Sequence, residues 1–327
     1  MKSILMKNGH IFTAACKIYA GGNFIKNALH LLKPIIVKKT HTFVNIEGEV
    51  QGVYLIGTQK GLYILKNNNL SKLLDGRFYG ITISSKKIYV FEKTGTSNGR
   101  IIELEINNNF EINKRGKVLI NKLSPGCHQI DIVDDKLFIM DTYNNCILAY
   151  NLSDFSYNAY YPLGKLDNGR KSNNYAHMNS LYHTENRFFV MCHNETSKTG
   201  RQSEILVLDS NLRKIEKIDT KASHAHNIVV LNNQFIYCDS TNNCLKVDNE
   251  IVFKGKHFTR GLSISKEHVL LGGSDHAKRA DRTKVNGYIY VLNHDFSLFT
   301  QFLVPGMVQE IRRLDKPDIS LSNYAND

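Results

Sequence analysis

The chain has 327 residues, 42% of them hydrophobic and 22% charged, a balance that excludes a disordered polypeptide. No run of about 18 apolar residues exists, so a membrane-spanning helix is excluded, and the first residues lack the apolar core and cleavage site of a secretory leader. Six cysteines without a Cys-x-x-Cys pair argue against a disulfide framework or zinc module and point to a reducing, cytoplasmic setting. The excess of 42 basic over 30 acidic residues, +12 at neutral pH, favours anionic partners. Because the basic residues are spread thinly, a small anion is favoured over nucleic acid, which the charge still leaves open, and no membrane partner is expected.

In chain order, Asn23 followed by Phe24, Ile25, Ala28, Leu29 and Leu32 predicts a short amphipathic helix, with Asn23 as cap and Pro34 as stop. Residues 1–45 therefore read as an N-terminal extension. Apolar segments at 52–57, 61–65 and 70–74 follow as three short strands. From residue 79 onward a unit repeats, with an alternating strand, a tight polar turn, a second apolar strand, a third, and a looser fourth. The clearest copies are 128–146 and 226–244, equal in length. They share His128 with His226, a turn pair (Asp134-Asp135, Asn232-Asn233), Asp141 with Asp239, an Asn-Asn pair, and Cys146 with Cys244. Weaker copies begin near 79, 177 and 260. A lone strand-like segment, 308–314, ends the pattern.

Four strands per repeat of about 40–50 residues is the signature of a propeller blade. Five full blades, with the incomplete 52–75 unit completed by 308–314, predict an all-β, six-bladed β-propeller over residues 46–316, carrying the short N-terminal helical extension and a tail at 317–327. Closure of the ring would hide the sheet edges that otherwise invite aggregation. The segment 137–150, an apolar strand, Asp141, Asn144-Asn145 and a second apolar strand, resembles the NHL-repeat six-bladed propellers, with Cys146 where that pattern has Arg. The resemblance implies architecture strongly and function weakly, because this fold hosts lyases, hydrolases and binding modules alike.

The turns between first and second strands are minimal, whereas long loops at 93–100, 163–177, 193–203 and 274–286 gather on the opposite face, the expected working face. The first residue of each innermost strand opens there, beside the channel: Tyr79, His128, His177 (or Asn179 if the turn is longer), His226, Arg260 and Gln309. Three histidines where a core would carry Val or Ile suggest one divalent metal ion held by His128, His177 and His226, zinc or iron first, nickel or copper next. Arg260, with Gln309 and Asn179, would hold a small anionic substrate, and His224, His276 or Tyr79 would carry protons, as in a metal-dependent lyase or hydrolase. The competing reading of the same histidines is a polar channel lining on a non-catalytic propeller that binds a protein, a glycan or nucleic acid. Asp141 and Asp239 read as turn caps, and Cys146 and Cys244 as packing residues. No nucleophile elbow, phosphate loop or dinucleotide fingerprint occurs, which excludes a nucleotide-binding α/β enzyme.

Overall fold

The computed structural model describes residues 34–278 and 281–323; the amphipathic segment 23–32 lies outside them. The repeats form six antiparallel sheets arranged as blades of one propeller. Blade 1 joins Val308–Arg313, as its innermost strand, to Val53–Thr58, Leu62–Lys66 and Asn69–Leu74. Blades 2 to 6 run from innermost strands Phe78–Ser84, Cys127–Val133, Met178–Thr184, His226–Leu231 and Phe258–Ile264 to outer strands ending at Leu123, Tyr160, Asp219, Lys254 and Pro305. Each innermost strand packs against the next around the axis.

The tight turns carry the sequence chemistry that hairpins require. Glu185-Asn186 and Asn232-Asn233 both adopt positive φ at the two central positions, the type I′ geometry that matches strand twist. In blade 4 that turn is two residues long, since Thr184 pairs Arg187, just as Val133 pairs Lys136 in blade 3. The turn is thus of ordinary length, and counting back equally from the strand ends makes Asn179, not His177, the equivalent of His128, although the sequence reading ties Asn179 to a longer turn.

The ring closes where the sequence predicts. Val308 pairs Thr58 and Ile311 pairs Ile56, joining the C-terminal strand to the incomplete first blade. Residues 35–42, outside the repeat, add short strands to two outer edges. Ile35–Ile36 pairs the last strand of blade 2, and Thr40–Thr42 pairs that of blade 1, making both sheets five-stranded. Helix among the described residues is limited to short turns such as Gly169–Lys171 and Thr196–Thr199.

Along the axis the innermost strands stack side chains in layers. Ile81, Ile130, Leu181, Ile228, Leu262 and Ile311 hold equivalent positions, are at most 1% exposed, and face the interblade core. At the short-turn end the channel is plugged. Residues 315–323 cross it, with Asp318 accepting bonds from Ser263 Oγ (2.7 Å), Ser320 N (3.0 Å) and Arg313 N (2.7 Å). Ser322 N donates to Asp131 (3.0 Å), and Asn323 Nδ2 donates to the carbonyl of Ile83 (2.6 Å). The plug thus ties blade 6 to blades 3 and 2. Above it Arg312 pairs with Glu310 at 2.9 Å and donates to the carbonyls of Leu262 (2.8 Å) and Ile81 (3.2 Å), stapling three blades in a site where both side chains are 1% exposed. Breaking such a buried pair costs about 3–5 kcal/mol, because the surviving charge is left uncompensated.

Deleting residues 306–327 removes the closing strand, Arg312 and the plug together. The shortened protein should aggregate or elute as high-mass species in size-exclusion chromatography. A soluble monomer with an unchanged melting temperature would contradict the closure.

Candidate functional site

Every innermost strand steps out of register with its partner at the same level. The irregularities fall between Phe78 and Ile81, Cys127 and Ile130, Met178 and Ser180, His226 and Ile228, Thr259 and Leu262, and Val308 and Glu310. Such bulges re-aim side chains. Here they set Tyr79, His128, Asn179, His226, Arg260 and Gln309 at one level of the axis. Two residues earlier in each repeat stand Arg77, Gly126, His177, His224, Phe258 and Met307. All but Gly126 line the cavity that opens on the long-loop face, about 620 Å³ in volume. His177 and His224 share a left-handed backbone, φ 52° and 55°, a strained conformation for histidine that turns each chain into its strand.

The cavity wall is a contiguous belt of rings. Tyr79 lies 5.5 Å from His128, His128 5.4 Å from His177, and His177 stacks on His193 at 4.2 Å with 20° between planes. His193 in turn lies 4.3 Å from His224 and 5.3 Å from His226, and His226 lies 5.8 Å from Phe258. Five imidazoles so close cannot all carry charge. Burial, above all, holds His128, His193 and His226 well below the usual histidine range. Arg260 depresses His128 and His226 further, and His177 depresses His193.

Their hydrogen bonds assign several protons. His128 Nδ1 lies 2.8 Å from the Gly126 carbonyl, which only accepts. His193 Nδ1 accepts from the backbone N–H of Glu195 at 3.0 Å. His224 accepts the Ser197 backbone N–H on Nε2 at 3.2 Å and bonds Thr241 Oγ1 through Nδ1 at 2.7 Å, so both its nitrogens are occupied. His226 Nδ1 bonds Ser240 Oγ at 2.9 Å. His177 Nδ1 lies 3.4 Å from Glu195, whose carboxyl is held down at about 2, first by that hydrogen bond and then by Lys198.

Cations dominate the same wall: Arg77, Lys93, Lys198, Arg260 and Arg282 line it, against the single carboxylate of Glu195. Arg260 is 7% exposed and rests 5.5 Å over the Tyr79 ring. Among the described residues no carboxylate forms an ion pair with it. Burial pulls its guanidinium down to about 10, so it remains charged at neutral pH.

The sequence-predicted residues separate into two groups. Tyr79, His128, His177, His224, His226, Arg260 and His276 line the cavity, the last at its exposed rim with Nε2 3.1 Å from Asn243 Oδ1. Asn179 and Gln309, expected at the substrate, are buried below it. Asn179 donates to the Ala225 carbonyl at 2.8 Å, and Gln309 Nε2 to that of Met307 at 3.4 Å. Among the described residues no three His, Cys, Asp or Glu side chains are grouped to hold a metal ion. His128, His177 and His226 thus share the mouth without forming, as they stand, the ligand set expected of them. Their Nδ1 atoms face Gly126, Tyr175 with Glu195, and Ser240. Asp141 caps its turn as the sequence suggests, accepting from Asn144 N at 3.4 Å, whereas Asp239 meets its own turn through the Asn242 side-chain amide at 3.0 Å and accepts the Ser223 N–H of the preceding loop at 2.9 Å. The described cysteines are buried free thiols, with Cys146 pushed up to about 12 and Cys244 to about 11 by burial. His193, Glu195 and Arg77 are site residues that sequence reasoning missed. Arg77 stands at the same repeat phase as His177 and His224, a signal that was readable.

Fold and mouth together define a six-bladed β-propeller with an electropositive, histidine-lined opening. No protein-family profile matches the chain, and no curated protein sequence matches it. Among solved structures it is similar to a chain of the nidogen/laminin complex, with a TM-score of 0.60 and 9% identity over 81% of this chain and 100% of that one. It is also similar to a protein of unknown function from Bacteroides caccae, with a TM-score of 0.54 and 11% identity over 81% and 100%. At such identities the likeness speaks for the fold alone. No helix among the described residues is long and apolar enough to cross a membrane.

Two outcomes follow from the electrostatics. A buried cation without a partner is a liability to folding. Arg260→Met should therefore leave the melting temperature unchanged or raise it, and a loss of more than about 2 kcal/mol would mark Arg260 as a structural residue. The depressed histidines set the pH dependence. In the unfolded chain they take up protons below about pH 6.5, whereas in the fold they stay neutral, so stability is complete above pH 6.5 and lost as pH falls. Each costs up to about 1.4 kcal/mol per pH unit until its folded pKa is reached. Thermal melts between pH 7.5 and 5 should show that decline; a flat profile would contradict it.

Proposed function

We propose that the mouth is a binding site for a small anion and that the neutral imidazoles around it equip the protein for proton-transfer chemistry on that anion, of the lyase or hydrolase kind. One observation carries the reading: Arg260, 7% exposed and charged, forms no ion pair among the described residues, since Glu310, which reaches it electrostatically, is paired with Arg312, and cations far outnumber acids in the surrounding wall. Buried charges are paired in stable proteins, so the missing partner is assigned to the ligand. The planar guanidinium suits a carboxylate or phosphate, which it can grip with two parallel bonds.

The proton-transfer part rests on the histidines. An imidazole that is neutral at physiological pH can accept a proton, and Tyr79 neighbours both Arg260 and His128. A metal-dependent version of the same chemistry needs His128, His177 and His226 to regroup, and the anion site does not depend on that. The NHL-type character of the repeat bears on architecture and leaves this reading as it is.

Titration calorimetry with inorganic phosphate and with malonate tests the site. At least one of them should bind the wild-type protein, and Arg260→Lys should weaken binding by roughly tenfold although the charge is kept, because the fork is lost. Absence of binding by both anions, or equal binding by wild type and Arg260→Lys, would overturn the reading in favour of a propeller that engages a macromolecule through its loops.

A further inference from the structure

The proton positions in the mouth say more about the ligand than its charge does. The carbonyl of Gly126, 2.8 Å from His128 Nδ1, can only accept, so the proton of the neutral ring sits on Nδ1. Nε2 then carries a lone pair, and among the described residues no protein donor is bonded to it. The opposite holds for His193. Its Nδ1 accepts from the Glu195 N–H, which leaves the ring proton on Nε2 as a donor. Arg260, which like His128 neighbours Tyr79, offers donors only.

A bare carboxylate would satisfy Arg260 but would turn an oxygen lone pair toward that of His128. A group that donates a hydrogen bond, placed next to the anion, satisfies the acceptor on His128. A hydroxyl is such a group.

We propose that the ligand is a hydroxycarboxylate, with its carboxylate on Arg260 and a neighbouring hydroxyl donating to His128 Nε2. This rests on the anion-site reading above and narrows it to a substrate class. The cavity, about 620 Å³, accommodates a polyhydroxylated acid of one ring or a short chain. Burial and the adjacent Arg260 keep His128 in the neutral form that the hydroxyl needs.

Three probes of one ring size separate the possibilities: quinate, which carries a carboxylate and hydroxyls, cyclohexanecarboxylate, which lacks the hydroxyls, and inositol, which lacks the carboxylate. By titration calorimetry at pH 7.5, quinate should bind at least fivefold more tightly than cyclohexanecarboxylate, the effect of about one good hydrogen bond, and inositol most weakly. His128→Phe, which keeps a ring but loses the lone pair, should erase the quinate preference while weakening cyclohexanecarboxylate far less. Equal binding of quinate and cyclohexanecarboxylate, or binding of phosphate with neither, would overturn the hydroxycarboxylate and leave the anion site standing. Failure of both phosphate and malonate would, as above, overturn the anion site itself. Nitrogen-15 spectra of the histidine rings supply an independent check: His128 Nε2 should resonate as unprotonated at pH 7.5, and a protonated Nε2 would refute the assignment.

Discussion

The structure depends on one pairing, that of Val308–Arg313 with Val53–Thr58. It joins residues some 250 positions apart in sequence and converts a row of sheets, each with an apolar face, into a ring in which every blade is covered on both sides. The closing strand also delivers Glu310 and Arg312 to the axis, where the guanidinium bonds carbonyls of blades 6 and 2. The interaction that completes the hydrophobic burial is thus the same one that locks the centre. Loop closure over nearly the whole chain is entropically costly and slow, and the buried ion pair and plug offset it only once the ring is complete.

From that closure follows the division of the axis into two ends. At the short-turn end, residues 315–323 fill the opening, and Asp318 and Asp131 have their oxygens met by backbone amides and hydroxyls. At the long-loop end the channel remains open, and its charges are not balanced. The contrast between Arg312, ion-paired with Glu310 and bonded to carbonyls, and Arg260, buried without an ion pair of its own among the described residues, separates a structural arginine from a binding one.

Much of this was legible in the sequence because blades impose a period. The tight turns at 134–135 and 232–233, the Asp caps and the match of His128 to His226 placed four strands and a channel position per repeat, and the orphan segment at 308–314 implied closure. The fourth blade shows the limit. Its divergent sequence left the turn length open, and with it the choice between His177 and Asn179. A one-repeat register argument cannot say which histidine reaches the channel when a residue two positions earlier, at positive φ, swings into it instead. His193 and Glu195 sit just past the second strand, where loop geometry rather than period decides direction. The plug at 315–323 carries no periodicity and reads as a tail, since its partners exist only once the channel does. Metal ligation was the least legible feature, because it depends on where ring nitrogens point, and these are set by Gly126, Tyr175, Glu195 and Ser240.

The central claim is that the charge left open on Arg260 is completed by an anion inside the mouth. The most direct measurement is anomalous diffraction from crystals of the protein soaked in selenate, which locates the ion without reference to activity. The predicted result is an anion inside the mouth within hydrogen-bonding distance of the Arg260 guanidinium. A mouth without selenate, in crystals where the ion occupies a basic groove elsewhere such as that of Lys39 and Lys66 on blade 1, would contradict it.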